Sequence, residues 1–374
     1  MLIELFSYAQ SEPLFLMMTV LGFLLLAPSF SSDRTRRRLV LLVGSALVIS
    51  GIMMTRYIGI AAVITGIYVT WLQGSSSARK QRYFWGLLFG LITTFPMIVF
   101  LIRNYFVAGD FTNRPAPFWH PPDYERLMVA RNAIAKWLIP HPIDGTLSST
   151  TVWIAFSVTS LAFFGVMLFA LLKSIKIIGT EQPVNSFRLL HSIYFFIYLF
   201  LLLATVYFFD SLTPLNDRLL SPLLFSCIVV GVSLFAAGWH QSGQVGRTVL
   251  VLVAAYLLMN NLVQSRKLVP TLLATPQGLA SPIYQSSQTL EFVRDRSEES
   301  VYTNNIPALY FWADRLALAI PSRVNPYEPE ETNAEYYSSL EAMRKDILEE
   351  EAILVIIGTN PSGRLGETQW MEVT

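Results

Sequence analysis

The chain has 374 residues, 53% hydrophobic and only 14% charged, with a mean hydropathy of +0.47; soluble globular chains carry about 25% charged residues, so solvation by water alone is excluded. The net charge is +1, yet nine Lys and Arg stand against 16 Asp and Glu from Arg266 onward, a balance of −7 that leaves +8 for residues 1–265. A mildly basic, apolar portion joined to an acidic, water-exposed one argues for a membrane and against nucleic acid as partner.

A membrane-crossing helix needs about 20 predominantly apolar residues. Eight stretches meet or approach that length: 13–30, 39–55, 58–73, 84–102, 152–172, 189–209, 218–238 and 248–264. The first opens on Ser11-Glu12-Pro13, with proline where a first helical turn tolerates it and Glu12 where the helix dipole favours a carboxylate. SSDRTRRR (31–38) and ARKQR (78–82) concentrate Arg and Lys, and the positive-inside rule places them in the cytoplasm. The basic connections 173–188 and 239–247 fall on the same side. The N-terminus, the loop 103–151, the connection 210–217 and everything after residue 265 then face outward.

Only Thr55-Arg56-Tyr57 separates the second stretch from the third, which pins Arg56 at membrane depth or at its outer rim. Arginine there is costly and marks a functional position by default; the plainer reading is a snorkelling anchor beside Tyr57. The loop 103–151 is rich in Pro and aromatics, and Phe118, Trp119 and Tyr124 fit either a head-group belt or a sugar-stacking surface. His120 and His141 lack a partner at zinc-site spacing, and His191 and His240 read as interfacial. The single cysteine, Cys227, lies in an apolar run and reads as packing.

The acidic portion reads as a small α/β domain. Helix is expected over 286–296, 306–314 and 333–351, and strand over 300–304, 315–321 and 352–358. Their alternation points to a parallel sheet. No glycine-rich loop opens any of these helices, so no nucleotide site is expected.

The notable polar residues gather on the outer side: Glu12, Arg56, Arg103 with Asn104, Asp210, Asp217 and Arg218. Arginine forks pair with phosphate oxygens in a bidentate way. A nearby carboxylate takes a proton from an acceptor or holds a divalent cation such as Mg or Mn, which makes Glu12 a candidate metal ligand. Against this stands the reading of ordinary interfacial charges, with Asp217 merely favouring a helix start.

YAQSEPLFLMM, GIMMTRYIGIA, FLIRNYFVAGDFTNRP and TPLNDRLLSPLLF, in this order, resemble bacterial GT-C membrane glycosyltransferases of the family 39 type, akin to protein O-mannosyltransferases and the lipid A aminoarabinose transferase. The resemblance covers nearly the whole chain. It implies a polyprenyl-phosphate sugar donor, a lipid, glycan or protein acceptor, and inverting transfer at the outer face of a cell inner or plasma membrane. By the same match, Glu12 is a secondary catalytic carboxylate near donor phosphate or metal, while Arg56 and Arg218 face the lipid phosphate; Arg103 and Asp217 join them as donor-binding candidates through their shared outer side. The family's principal catalytic Asp follows an earlier spanning helix, so the expectation is an N-terminally truncated member. The expected fold is thus a polytopic α-helical protein of about eight membrane helices (1–265, GT-C-like, incomplete), followed by a small extracytoplasmic α/β domain (266–374). A non-catalytic membrane protein that binds or flips lipid-linked sugars is the alternative.

Overall fold

The computed structural model describes residues 11–32, 34–73, 79–109, 111, 119, 121–139, 148–177, 185–209, 215–274, 282–296, 299–323, 333–349 and 352–357. The chain divides into two compact units that meet in sequence at Lys267–Leu268.

The first unit is helical. Helix α1 (Ser11–Leu26) runs through a short 3-10 turn into α2 (Thr35–Thr55). A 3-10 turn over Tyr57–Gly59 leads into α3 (Ile60–Gln73), followed by α4 (Arg79–Ala108), α5 (Tyr124–Ala135), α6 (Ser149–Ile177), α7 (Ser186–Phe208), α8 (Asp217–Gln241) and α9 (Gln244–Ala274). Among the described residues, seven helices are long and apolar enough to cross a membrane; Tyr57–Leu72 is shorter. The third expected span is therefore not equivalent to the others. A helix of 14 residues rises about 21 Å against a hydrocarbon core of about 30 Å. The reversal at Arg56 consumes the residues that would have lengthened it.

Helix α1 packs on α2, α2 and α3 on α4, α3 on α7, and α7 between α6 and α8. On α1 the inward residues Phe15, Leu16, Thr19, Gly22, Phe23 and Leu26 recur every three to four positions, the spacing of one helix face. Leu14, Met17, Leu21 and Leu24 on its other side are exposed. Both faces are apolar, as lipid permits, so close approach and polar contacts supply the specificity. Ser45 donates across to the Gly22 carbonyl at 2.8 Å, and a Cβ on Gly66 would lie 2.3 Å from Phe89. Cys227 is buried in this core. His191, expected at an interface, is buried as well, among the rings of Phe23, Phe187 and Phe225. Rings from α1, α7 and α8 enclose it, and Ser226 meets its Nδ1 at 3.3 Å.

The loop expected over 103–151 contains a helix, α5, capped by Asp123, whose carboxylate accepts from the Arg126 N–H at 2.8 Å.

The second unit holds α10 (Pro282–Gln285), α11 (Gln288–Asp295), β1 (Ser300–Thr303), α12 (Ile306–Ala313), β2 (Leu318–Ala319), α13 (Tyr336–Leu348) and β3 (Ala352–Val355). The three strands are parallel in the order β2-β1-β3, with Tyr302 opposite Leu318 and Val301 opposite Ile353. Because successive strand residues point to opposite faces, the sheet has two cores. Leu290 and Val293 of α11 join Leu309 and Ala313 of α12 against Val301 and Val355. On the other face, Tyr336, Leu340 and Met343 of α13 meet Tyr302 and Ala352. Helices thus cover both faces, as parallel sheets require.

Candidate functional site: a carboxylate held by two arginines

The site forms where three helix ends meet, and each side chain is aimed by its own backbone. Arg56 terminates α2. Its N–H still donates to the Ile52 carbonyl at 3.1 Å, but its extended backbone (φ −155°, ψ 133°) turns the chain back. Its carbonyl then accepts from Gly59 N–H at 2.9 Å, closing the reversal. At Gly59 a Cβ would lie 2.8 Å from the backbone of Ile52, so only glycine allows this approach.

Arg218 stands in the first turn of α8. Asn216 caps that helix, its side-chain oxygen accepting from the backbone N–H of Arg218 at 3.2 Å. Tyr198 of α7 donates to the Leu219 carbonyl at 2.9 Å and holds the turn in place. Glu12 lies in the first turn of α1.

These three side chains converge. Glu12 Oε1 accepts from Arg56 Nη1 at 2.5 Å and from Arg218 Nη2 and Nε at 2.5 and 2.9 Å. The Glu12 side chain is 2% exposed, that of Arg56 22% and that of Arg218 47%. The carboxylate is therefore hidden beneath two guanidiniums, whose outer edges stay open. One negative and two positive charges leave a formal +1 at a helix end. Oε2 of Glu12 is buried without a hydrogen-bond partner among the described residues.

Asp217, beside Arg218 in the chain, turns elsewhere: its Oδ2 accepts from Lys136 Nζ at 3.0 Å. Lys136 caps the C-terminus of α5, and its part was not foreseen. Three residues of α9 at helical spacing meet the backbone there. Tyr256 donates to the Leu138 carbonyl at 2.7 Å, Asn260 to Trp137 at 3.3 Å and Gln264 to Lys136 at 2.8 Å. They satisfy carbonyls that a helix C-terminus leaves open. The i, i+4, i+8 spacing of these residues was the available signal.

Arg103 does not join the cluster. It is exposed on α4 and makes no ion pair with any described residue. Trp119 is exposed and lies against Tyr207 and Phe208 at the end of α7, while Tyr124 is exposed at the start of α5. Phe118, His120, His141 and Asp210, and the side chain of His240, lie outside the described residues.

A divalent cation does not fit Glu12 as placed. Mg takes near-octahedral oxygen ligands, whereas here one carboxylate oxygen already meets two guanidiniums. No three His, Cys, Asp or Glu side chains among the described residues gather to hold a metal.

The opposite helix ends carry a separate set of basic residues. Arg34, Arg36 and Arg37 are exposed at the start of α2, and the Arg38 guanidinium lies 5.2 Å from the Trp85 ring. Arg188, buried in the first turn of α7, donates to Ser174 Oγ at 3.3 Å. Compared with protein-family models, curated proteins and solved structures, the chain matches none.

Proposed function

We propose that this chain is a GT-C type membrane glycosyltransferase, or part of one, that moves a sugar from a polyprenyl-phosphate donor to a hydroxyl acceptor at the outer membrane face. The observation that carries this reading is the Glu12–Arg56–Arg218 cluster. A net positive charge at membrane depth is costly unless an anion answers it, and a sugar phosphodiester brings one negative charge.

In direct displacement, the acceptor oxygen bonds to the anomeric carbon as the carbon–oxygen bond to phosphate breaks. The bonding pair leaves with the polyprenyl phosphate, which gains a second negative charge. Guanidiniums already in place stabilise that developing charge more than the ground state, the condition for lowering a barrier. In this mechanism Arg56 and Arg218 face the leaving phosphate. Glu12, with Oε1 engaged by both, positions them and does not take the acceptor's proton, which leaves to bulk water at the open outer face as the phosphate departs as a dianion.

The engagement of Glu12 and the pairing of Asp217 with Lys136 also favour a second reading, in which lipid-linked sugars are bound or flipped without transfer. The deciding experiment gives membranes carrying the chain a labelled polyprenyl-phosphate sugar and follows label in lipid, glycan and protein. Transfer that falls at least tenfold in both Arg56→Ala and Arg218→Ala supports the enzyme. Undiminished transfer in both variants overturns the roles of the arginines, and donor binding without transfer favours the second reading.

A further inference from the structure

The second unit presents a helix whose outer side does not match water. Helix α12 (IPALYFWA) contains no charged residue, and a helix apolar all round normally lies buried. Its inward residues Ala308, Leu309 and Ala313 pack on the sheet. Tyr310 and Phe311 point away from it, each 63% exposed, and Phe292, on the outward side of neighbouring α11, is 49% exposed. Helix α13, over the opposite sheet face, has an ordinary solvated side with Glu341, Lys345 and Glu349.

Cations accompany the aromatic face of this acidic portion. The Arg296 guanidinium sits 4.4 Å from the Phe292 ring. Arg315 donates to the carbonyls of Arg296 and Glu299, Arg296 pairs with Glu299 at 3.2 Å, and Arg294, exposed on α11, pairs with Glu291 at 3.7 Å and Asp295 at 3.9 Å. Aromatic rings beside arginines are the composition that settles at a lipid head-group layer.

Chain connectivity brings that layer within reach. Helix α9 includes a span-length apolar segment, Gln244–Arg266, and continues to Ala274. Seven residues, 275–281, separate it from α10, and such a link reaches at most about 30 Å.

We propose that Phe292, Tyr310 and Phe311 form a docking face by which the second unit rests on the head-group layer of the membrane that α9 crosses. The aromatic rings enter the acyl boundary, and the arginine heads, tied to neighbouring carboxylates or carbonyls, stay on its water side. The proposal is independent of sugar transfer and would hold for a protein that only binds lipid-linked sugars.

The test uses the full chain in phospholipid nanodiscs, in a Cys227→Ala background, with one nitroxide label at a time on Phe311→Cys, Phe292→Cys or Glu341→Cys. Collision with oxygen reports lipid, and collision with a water-soluble nickel chelate reports solvent. Docking predicts that oxygen dominates at 311 and 292 and the chelate at 341. The two outward positions guard against one substitution weakening the face. The proposal is overturned if 311 and 292 meet the chelate as freely as 341 does. It is equally overturned if they are shielded from both reagents, the signature of a protein partner, a second copy or another part of this chain.

Discussion

Among the described residues of the helical unit, Glu12 is at once the most buried and the most heavily engaged carboxylate, and the consequences of its removal differ from those of removing either arginine. Glu12→Ala strands two guanidiniums side by side, and because both are partly open to water the cost stays below the about 3–5 kcal/mol of a wholly buried pair; the thermal midpoint in detergent should still fall. Arg218 is 47% exposed, and water screens what is lost there to roughly 1 kcal/mol or less. Arg218→Ala should therefore melt close to the wild type while failing in phosphate binding. Equal melting of Glu12→Ala and wild type would contradict the picture of a carboxylate that organises the site.

Buried Tyr302, which donates to Asp346 at 2.8 Å, adds a pH dependence in the second unit. Burial first, then the bond to Asp346 and its negative charge, raises its hydroxyl above the ordinary value near 10. A folded value above the unfolded one means that the contribution is complete below pH 10 and disappears as pH rises through the folded value. Unfolding followed between pH 9 and 12 should show an alkaline loss of stability that Tyr302→Phe reduces. Of the residues at the site, Arg56 was legible because a connection of three residues leaves an arginine nowhere to go. Glu12 and Arg218 were legible from the helix starts they occupy. Arg103 looked equivalent in sequence, but its position on the helix turns it away, and one-dimensional order does not encode that direction. Lys136 was missed because it follows an ordinary amphipathic helix, and its partner Asp217 lies 81 positions away.

At the scale of elements, the cluster depends on the reversal between α2 and α3. Gly59→Val would push a side chain into the Ile52 backbone, which cannot yield as a flexible side chain does. The expected cost is about 1–3 kcal/mol, with loss of the Arg56–Glu12 pair. A variant that melts and binds phosphate as the wild type does would contradict the role given to this turn. The stripe of α9 is a second such device: Asn260→Leu with Gln264→Leu should lower stability by about 1 kcal/mol per lost bond, read as a lower thermal midpoint of the full chain. The helices of the second unit were readable from their 3.6-residue period and β3 from its unbroken apolar run AILVIIG, whereas β2 covers only Leu318–Ala319 of the 315–321 expected. The membrane helices were readable as apolar runs, but their ends were not. Helix α4 reaches from Arg79 to Ala108 and α9 from Gln244 to Ala274, because helices continue past the apolar run wherever the backbone keeps its own hydrogen bonds.

At the scale of the whole molecule, the proposed function requires the Glu12 end of the helices outside and the arginine-rich start of α2 inside. Impermeant maleimide on intact cells should label Tyr124→Cys and spare Ser32→Cys in a Cys227→Ala background; the reverse pattern would invert the topology that the positive-inside rule gives. If two guanidiniums held on a buried carboxylate receive the phosphate of an isoprenoid-linked sugar, as proposed, binding reveals it. Full-length chain in nanodiscs should bind polyprenyl phosphate and discriminate against the neutral polyprenol. Each of Arg56→Ala and Arg218→Ala should weaken that binding about 10- to 100-fold, as expected for a lost hydrogen bond to a charged group worth about 1.5–3 kcal/mol. Binding of phosphate and alcohol with equal affinity, unchanged in both variants, would contradict it.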